Sequence, residues 1–406
     1  MKRGVHGILF VAAVIGGLAW RVERGETHKA ITSPYTYNEN VFPILRDRCG
    51  RCHVPDGVAP MSLMTYREAF PWGESLRAEI MAGHMPPWHT RDDVGSFKNV
   101  PAMTAAELDK ILTWASGGVP QGNLQHVLPP VALQHDWPLG KPDLVLPLSP
   151  AVTLAAETSE TTQEFTVPTQ TTEPKWVRAA DLLPGTPAIV RDATIVVKAN
   201  SKGAVTDLAP DYVLSLWVPG DDPVAAVNDT AFLLPARAEL IVRIHYKKTY
   251  QNDGKAMSDR SAVGLYFASE PALELRQFAV VSPPVTPATP ESLTFSRTVT
   301  EDLRALAFSP DPALSNVSLR VDAVSAGGVR TPVIRLAVRP NWTRRFWFDQ
   351  PLALPRGTRL EVVAVLNGAD PLLPPTGTPL PPQAVDGSPV RVFFDVVAGA
   401  GTRAAH

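Results

Sequence analysis

The sequence predicts a multidomain chain in which a small all-α domain is followed by an all-β region of two antiparallel sandwiches. Three observations predict it. At 406 residues, with 45% hydrophobic and 19% charged residues, the chain is long enough for several domains and apolar enough to bury their cores. Helical spacing with capping signals is confined to the N-terminal part. Beyond it, short alternating segments follow one another between turn residues, and the 41 prolines favour strands joined by proline-bearing loops over a helical bundle.

Residues 1–30 read as a signal peptide or N-terminal anchor. Lys2 and Arg3 precede an apolar run over residues 7–20, and Arg21, Glu23, Arg24 and Glu26 follow at once. The run is short for a membrane span, which takes about 20 apolar residues. Gly17 and Ala19 supply a small-x-small cleavage site of low specificity, so an uncleaved anchor stays open beside cleavage. Either way the chain is expected outside the cytoplasm, in the periplasm or otherwise exported. The net charge of −2 provides no basic excess to neutralise phosphates, which sets nucleic acid aside as a partner.

Residues 36–123 are the expected helical domain. Val41, Ile44 and Leu45 lie at helical spacing within residues 38–47, with Asn38 as a candidate cap. This helix leads into Cys49-Gly50-Arg51-Cys52-His53, which holds both cysteines of the chain. Two thiols in this frame can add across the two vinyl groups of one haem, and a histidine directly after the second then sits beneath the iron. The other readings are a thioredoxin-like dithiol, a strained local disulfide, or half of a zinc site. The first should follow a strand, whereas a helix precedes the motif here, and a zinc ribbon needs a second cysteine pair, which is absent. Cys49 and Cys52 are therefore expected to carry one covalent haem c, with His53 as its proximal axial ligand.

An electron carrier needs a sixth ligand, and Met raises the potential relative to a second His. The candidates are Met61, Met64, Met81, Met85 and Met103, with His84 and His89. Met85 is the expected distal axial ligand, because Pro86 and Pro87 hold the following backbone extended, as suits a loop that presents one sulfur. His84 is the runner-up. A helix over residues 66–81 fills the interval. Thr104-Ala105-Ala106-Glu107 is a reciprocal capping pattern that opens a further helix, with Leu108, Ile111, Leu112 and Trp114 as its apolar face and Gly117-Gly118 as its stop.

The order helix, Cys-x-x-Cys-His, helix, Met loop, helix resembles the class I cytochrome c domain over its whole length. The run from Asn38-Glu39-Asn40-Val41-Phe42-Pro43-Ile44-Leu45 through Met85-Pro86-Pro87-Trp88 and Trp114 to Gly118-Val119-Pro120-Gln121-Gly122 is similar to cytochrome domains fused to copper-monooxygenase-like modules in bacterial exported proteins. That resemblance implies Met85 as the axial ligand.

Residues 124–143, with Pro129, Pro130, Pro138 and little periodicity, read as a linker. Residues 144–280 and 281–400 are the expected sandwiches, with strands foreseen over 193–199, 211–218, 239–246, 261–267, 315–323, 333–338, 359–366 and 390–397. Here Pro184-Gly185 leads into Ile189-Val190, followed by Trp217-Val218-Pro219-Gly220, Leu234-Pro235-Ala236, Ile244-His245-Tyr246, Asp259-Arg260-Ser261 with Gly264, Asn341-Trp342 and Leu354-Pro355-Arg356-Gly357-Thr358. These strings resemble, in order, the copper type II ascorbate-dependent monooxygenases, typified by peptidylglycine alpha-hydroxylating monooxygenase. The resemblance implies two jelly-roll-like sandwiches and two copper sites, one of three histidines and one of two histidines and a methionine.

The copper ligands are mostly lost. Arg191-Asp192 stands where that family has a His-His pair, Asn316-Val317-Ser318 where it has His-x-His, and Phe394 at the methionine position. His245 alone matches as a remnant ligand. Counting agrees without alignment, because from Asp136 onward the chain has only His245, His406 and Met257 as imidazole or sulfur donors, too few for two copper sites. Copper is not expected, and His245 is read in preference as a strand histidine satisfied by a neighbouring hydrogen bond. For Arg191 and Asp192 an ion pair in the former site and a solvated edge both stay open.

The expected function is electron transfer by an exported mono-haem c-type cytochrome, with redox proteins as donor and acceptor and the β region as a docking or structural module. No carboxylate cluster or Ser-His-Asp set for acid–base catalysis is visible in that region, so a carrier is expected rather than an enzyme. Two alternatives stand beside it. One is a haem-fed copper-dependent monooxygenase, in which tethering raises the effective concentration of reductant. The other is a subunit of an envelope redox complex that keeps the degenerate region as an interaction surface.

Overall fold

The computed structural model describes residues 32–87, 94–98, 103–198, 211–226, 230–269, 273–286, 289–314, 316–339, 341–366 and 387–399. The expected signal segment, Trp88 and His89 lie outside the described residues. Among the described residues no helix is long and apolar enough to cross a membrane. The chain is mostly β, with a few short helices in its N-terminal part and several antiparallel sheets after them.

The helical part opens with a π turn, Tyr37–Val41, that runs into α1 (Phe42–Arg48), where Pro43 occupies the first turn and forfeits no hydrogen bond. Asn38 is not the cap. It is buried, and its side-chain amide donates to the Asn123 carbonyl at 2.8 Å, while Asn40 Oδ1 accepts from Thr36 N–H at 2.9 Å. The helix expected over residues 66–81 is broken into α2 (Tyr66–Ala69), a 3-10 turn (Phe70–Trp72) and α3 (Gly73–Met81). Pro71 is the cause, since it lacks an N–H and its ring crowds the carbonyl four residues back.

The last helix, α4 (Ala105–Ser116), starts on the full capping box of Thr104 and Glu107 and stops at Gly117. Its Trp114 is wholly buried beside Tyr37, with ring centroids 6.0 Å apart, and the indole N–H donates to Pro120 O at 3.0 Å. Arg48 of α1 pairs with Glu107 at 3.1 Å, so one carboxylate serves both the cap and the contact between the first and last helices.

The first β unit contains β1 (Leu144–Pro147), β2 (Val152–Leu154), β3 (Glu160–Pro168), β4 (Lys175–Leu183), β5 (Val190–Lys198), β6 (Tyr212–Trp217), β7 (Thr230–Leu234), β8 (Glu239–Lys247), β9 (Met257–Asp259), β10 (Ala262–Phe267) and β11 (Leu273–Glu274). They form sheets in the orders β1-β10-β4-β7-β11 and β3-β8-β5-β6, with β2-β9 as a two-stranded ribbon. Only the short β7–β11 pairing is parallel among the ladders described. Alternation explains the burial: on β8 Leu240, Val242, Ile244 and Tyr246 point inward while Glu239, Arg243 and Lys247 point outward. Val177 of β4 and Val263 of β10 meet the β8 side chains in one apolar core.

The second unit contains β12 (Arg276–Pro284), β13 (Ser292–Thr298), β14 (Leu303–Pro310), β15 (Val317–Val324), β16 (Arg330–Val338), β17 (Phe346–Leu354), β18 (Arg359–Val365) and β19 (Pro389–Ala398). The sheet orders are β12-β19-β14-β17 and β13-β18-β15-β16, and β12 pairs with the C-terminal β19. Phe308 and Phe394 from one sheet and Leu319 and Val362 from the other share a single core.

Candidate functional site

The Cys-x-x-Cys-His segment is a tight loop at the end of α1. Cys49 N–H donates to Leu45 O at 2.9 Å, and the N–H groups of Cys52 and His53 both donate to Cys49 O, at 3.1 and 2.8 Å. These bonds keep two thiols and one imidazole within a single turn. Glycine is required at position 50, because a Cβ there would lie 2.5 Å from Arg46 O.

His53 is only 9% exposed, and its Nδ1 lies 3.2 Å from Met61 O. A carbonyl can only accept, so Nδ1 carries the hydrogen and Nε2 keeps the lone pair, the arrangement that suits a metal-ligating histidine. Burial holds the His53 pKa below the ordinary histidine range, which favours the neutral ring. Burial also pushes the Cys49 and Cys52 thiols up to about 12, so both stay protonated at neutral pH. Two thiols that can bond to the vinyl groups and a tautomer-fixed imidazole that can ligate the iron lie in one turn, so the residues present fit a covalently attached haem.

Of the methionines, Met64 is buried in the helical core, Met61 and Met103 pack against that core, and Met81 is exposed on α3. Packing accounts for the first three. Met85 sits half-buried in the loop after α3, where its own N–H and that of His84 donate to Glu79 O at 3.2 and 2.8 Å. The His84 ring is engaged by the Glu79 carboxylate, 2.9 Å from Nδ1.

Both β units touch this region. Cys52 Sγ lies 3.6 Å from the Pro219 carbonyl, and Arg51 pairs with Asp222 at 2.5 Å. Gly220 has φ +78, and a Cβ there would stand 3.2 Å from Cys52 Sγ. Arg191 of β5 donates to the Val58 carbonyl, and to that of Lys247 at 2.7 Å. From the second unit, Arg339 donates to Gly83 O at 2.6 Å, and Phe97 forms a β-bridge with Phe348 of β17. A cavity of about 1080 Å3 lies between the helical part and the first unit, bordered by Gly50, Arg51, Trp217 and Asp181 among others. Burial pushes Asp181 up to about 7, and the charges of Asp221 and Asp222 act in the same direction.

His245 stands apart from the cysteine loop. It faces Asp192 of β5 and Thr162 of β3 across the sheet, and its Nδ1 and Nε2 lie 3.1 Å from Asp192 Oδ2 and 2.7 Å from Glu160 Oε1. Burial opposes its charge, but hydrogen bonds to the two carboxylates, Asp192 first, and their negative charge outweigh that and raise its pKa. With a carboxylate facing each nitrogen, the surroundings favour the charged ring over a metal-ligating one. Arg191 and Asp192 do not pair with each other: Asp192 turns to His245, and Arg191 to backbone carbonyls. Phe394 is buried against Phe308, with centroids 5.4 Å apart. Among the described residues no group of three or more His, Cys, Asp or Glu is placed to hold a metal ion.

Met61 as the acceptor for His53, and Gly220, Arg191 and Arg339 as neighbours of the segments around Cys52 and Met85, escape a reading of the sequence. The Pro219-Gly220 dipeptide marks a turn, but nothing local tells which sulfur it will face.

No protein-family model matches the chain, and no curated protein matches it. Among solved structures it is similar to VP54 of PBCV-1, fitted into a cryo-EM reconstruction of the virophage Sputnik, at 8% identity and a TM-score of 0.21 over 63% of this chain and 97% of that one. A beta-porphyranase of glycoside hydrolase family 86 from the human gut bacterium Bacteroides plebeius matches at 8% identity and 0.15, over 59% and 35%. Oxalate decarboxylase of Bacillus subtilis matches at 9% identity and 0.14, over 77% and 87%. At these scores the likenesses carry no argument about fold or function.

Proposed function

We propose that this chain is an exported c-type cytochrome that transfers single electrons between redox proteins. Cys49 and Cys52 hold one haem through thioether bonds, His53 Nε2 is its proximal ligand and Met85 its distal ligand. The helical part is a class I cytochrome c domain. The β units are two jelly-roll-like sandwiches of the copper type II monooxygenase kind, retained as a docking or structural module without their copper.

The observation that carries the reading is the bond between His53 Nδ1 and Met61 O, 3.2 Å long and directly after a two-thiol loop. That bond orients the ring and leaves Nε2 as donor, which a disulfide or a dithiol would not need. When bound, haem supplies a one-electron iron couple. The chain's own task is to attach it, present one nitrogen and one sulfur, and keep water from the proximal side. The wholly buried Leu63, whose N–H donates to His53 O at 3.0 Å, ties the backbone of that histidine to the helical core.

The test is a combined haem and copper determination on the full chain, made in a host that matures c-type cytochromes. One covalent haem per chain and no stoichiometric copper are expected. Colourless protein with the mass of the bare polypeptide overturns the reading. Copper near two per chain, lost in His245→Ala, replaces the carrier with a haem-fed monooxygenase.

A further inference from the structure

The two β units grip the helical part at different places. The first holds the side of residues 49–58, through Asp222 on Arg51 at 2.5 Å, Pro219 O against Cys52 Sγ at 3.6 Å, and Arg191 on the Val58 carbonyl. The second holds Gly83, two residues before Met85, and residues 96–98 farther along the chain. Before Met85, Arg339 at the end of β16 donates to Gly83 O at 2.6 Å. After it, residues 96–98 lie along β17: Asp349 N–H donates to Ser96 O and Lys98 N–H to Trp347 O, each at 2.9 Å, with Phe97 bridged to Phe348 between them. The Phe97 ring packs on Phe346 and Phe348, centroids 5.7 and 5.5 Å away, which seats it on the core of the second unit.

The two grips are referred to a common frame. Arg345 of the second unit donates to the Val213 and Leu214 carbonyls of β6 at 2.7 and 2.9 Å, and Gln277 of β12 accepts from Val213 N–H at 2.8 Å. The segments expected to carry the two axial ligands are thus each fastened to a different β unit, and the units are fastened to each other.

We propose that Arg339 is a positioning residue for the distal ligand: by fixing the Gly83 carbonyl to the second β unit, it sets how the following loop presents the Met85 sulfur to a haem held by residues 49–53. This rests on the function proposed above and gives the β region a task in it. A thioether is a neutral donor on a flexible side chain, and a loop left free must lose its conformational entropy each time it ligates. Holding the loop beforehand removes that cost, as preorganisation does at any site. Loss of sulfur ligation lowers the iron potential, because Met raises it relative to nitrogen donors.

The experiment compares full-length wild type, Arg339→Ala and Arg339→Lys in the haem-loaded form, and repeats one readout without haem. For Arg339→Ala the expected results are unchanged haem content, loss or weakening of the red absorption band that reports sulfur–iron ligation, and a lower midpoint potential. Arg339→Lys, which keeps a cationic donor, restores the band at least in part. In haem-free protein, backbone amides of residues 82–85 exchange faster in Arg339→Ala than in wild type. Phe97→Ala repeats the test at the second contact, with β17, should Arg339→Ala fold poorly. A wild-type band and potential in both alanine variants overturn the proposal, as does a wild type that lacks the sulfur–iron band altogether. Absence of covalent haem from wild type instead sinks the function itself, and the exchange measurement then decides whether Arg339 holds the loop.

Discussion

Arg51 and Asp222 meet at 2.5 Å across the boundary between the helical part and the first β unit, with side chains 46% and 53% exposed. An exposed pair of this kind contributes about 0–1 kcal/mol, so it orients the contact more than it holds it. The tighter contact lies beside it, where Gly220 leaves room for Cys52 Sγ. A valine there meets both the positive φ, which costs an L-residue about 1–2 kcal/mol, and the sulfur itself. Gly220→Val is expected to lower attachment at Cys52 before attachment at Cys49. Mass analysis of the peptide carrying residues 49–53 would then show a singly linked product, and loading equal to wild type at both cysteines would show that the contact is dispensable.

His245 gives the first β unit a pH dependence. Its pKa is raised in the folded chain by Asp192 and Glu160 against the opposing effect of burial. A raised folded-state value contributes stability that is full below the unfolded value of about 6.5 and is lost as pH rises through the folded one. The Glu160 pKa is lowered, first by Lys247 and also by His245, so its share is present above about 4.3 and lost in acid. Stability contributed by the cluster should therefore be greatest at mildly acidic pH. In urea titrations, His245→Gln is expected to be most destabilising near pH 6 and least at alkaline pH; a loss independent of pH would refute the charge argument.

Asp181 works in the opposite sense. Burial pushes its pKa up to about 7, so the folded chain holds a proton that the unfolded chain has released above about 3.9. Its contribution therefore grows more unfavourable by about 1.4 kcal/mol for each pH unit between those two values, and is constant at higher pH. Asp181 accepts from Leu182 N–H at 2.8 Å, a bond that an amide oxygen can also accept. Asp181→Asn is expected to stabilise the chain at pH 8 by one to a few kcal/mol, to order of magnitude, and to change little at pH 4. Equal stability of the two proteins at pH 8 would mean that the carboxylate is solvated after all.

What the sequence made legible is what neighbouring residues decide. The cysteine loop, the Thr104 cap and the inward positions of β8 depend on spacings of a few residues, and they stand where the pattern puts them. The strands that escaped the pattern include β3 and β13, which lie at sheet edges. Stretches such as Thr161-Thr162-Gln163-Glu164 of β3 are polar and mostly exposed, so they carry too few apolar positions to show a period. The helix broken at Pro71 is a local lesson, since a proline inside an apolar periodic run outweighs the period. The contacts of Gly220, Arg191 and Arg339 join segments far apart in the chain, and only folding brings them to the cysteine loop and to the loop after α3.

The joint between the β units rests on a buried charge. Asp395 is 1% exposed and pairs with Arg345 at 2.6 Å, while Gln277 donates to it at 2.9 Å. Burial raises the Asp395 pKa, and the Arg345 charge works against that rise. Removing one partner of a buried pair costs about 3–5 kcal/mol, because the other charge is left in a medium of low polarity. Asp395→Ala should lose about that much in urea titration. A loss under about 1 kcal/mol for the single change would place the pair among surface contacts in energy.

The first and last helices meet through Glu107, and its two duties can be separated. Its backbone N–H donates to Thr104 Oγ1 at 3.2 Å, its carboxylate accepts from Thr104 N–H at 2.7 Å, and the same carboxylate pairs with Arg48 at 3.1 Å. Thr104→Ala removes the side-chain half of the cap and should cost about 1 kcal/mol. Glu107→Ala removes the other half of the cap together with the Arg48 contact, which draws α4 toward the helix that ends at Cys49. It should therefore cost more than Thr104→Ala, whereas Glu107→Gln keeps a cap acceptor and loses mainly the charge. Arg48→Ala separates the terms: in the double variant with Glu107→Gln its effect should shrink, since the pair is already weakened. Full additivity of those two changes in thermal unfolding would show that Arg48 and Glu107 do not act as a pair, leaving the cap as the carboxylate's whole contribution.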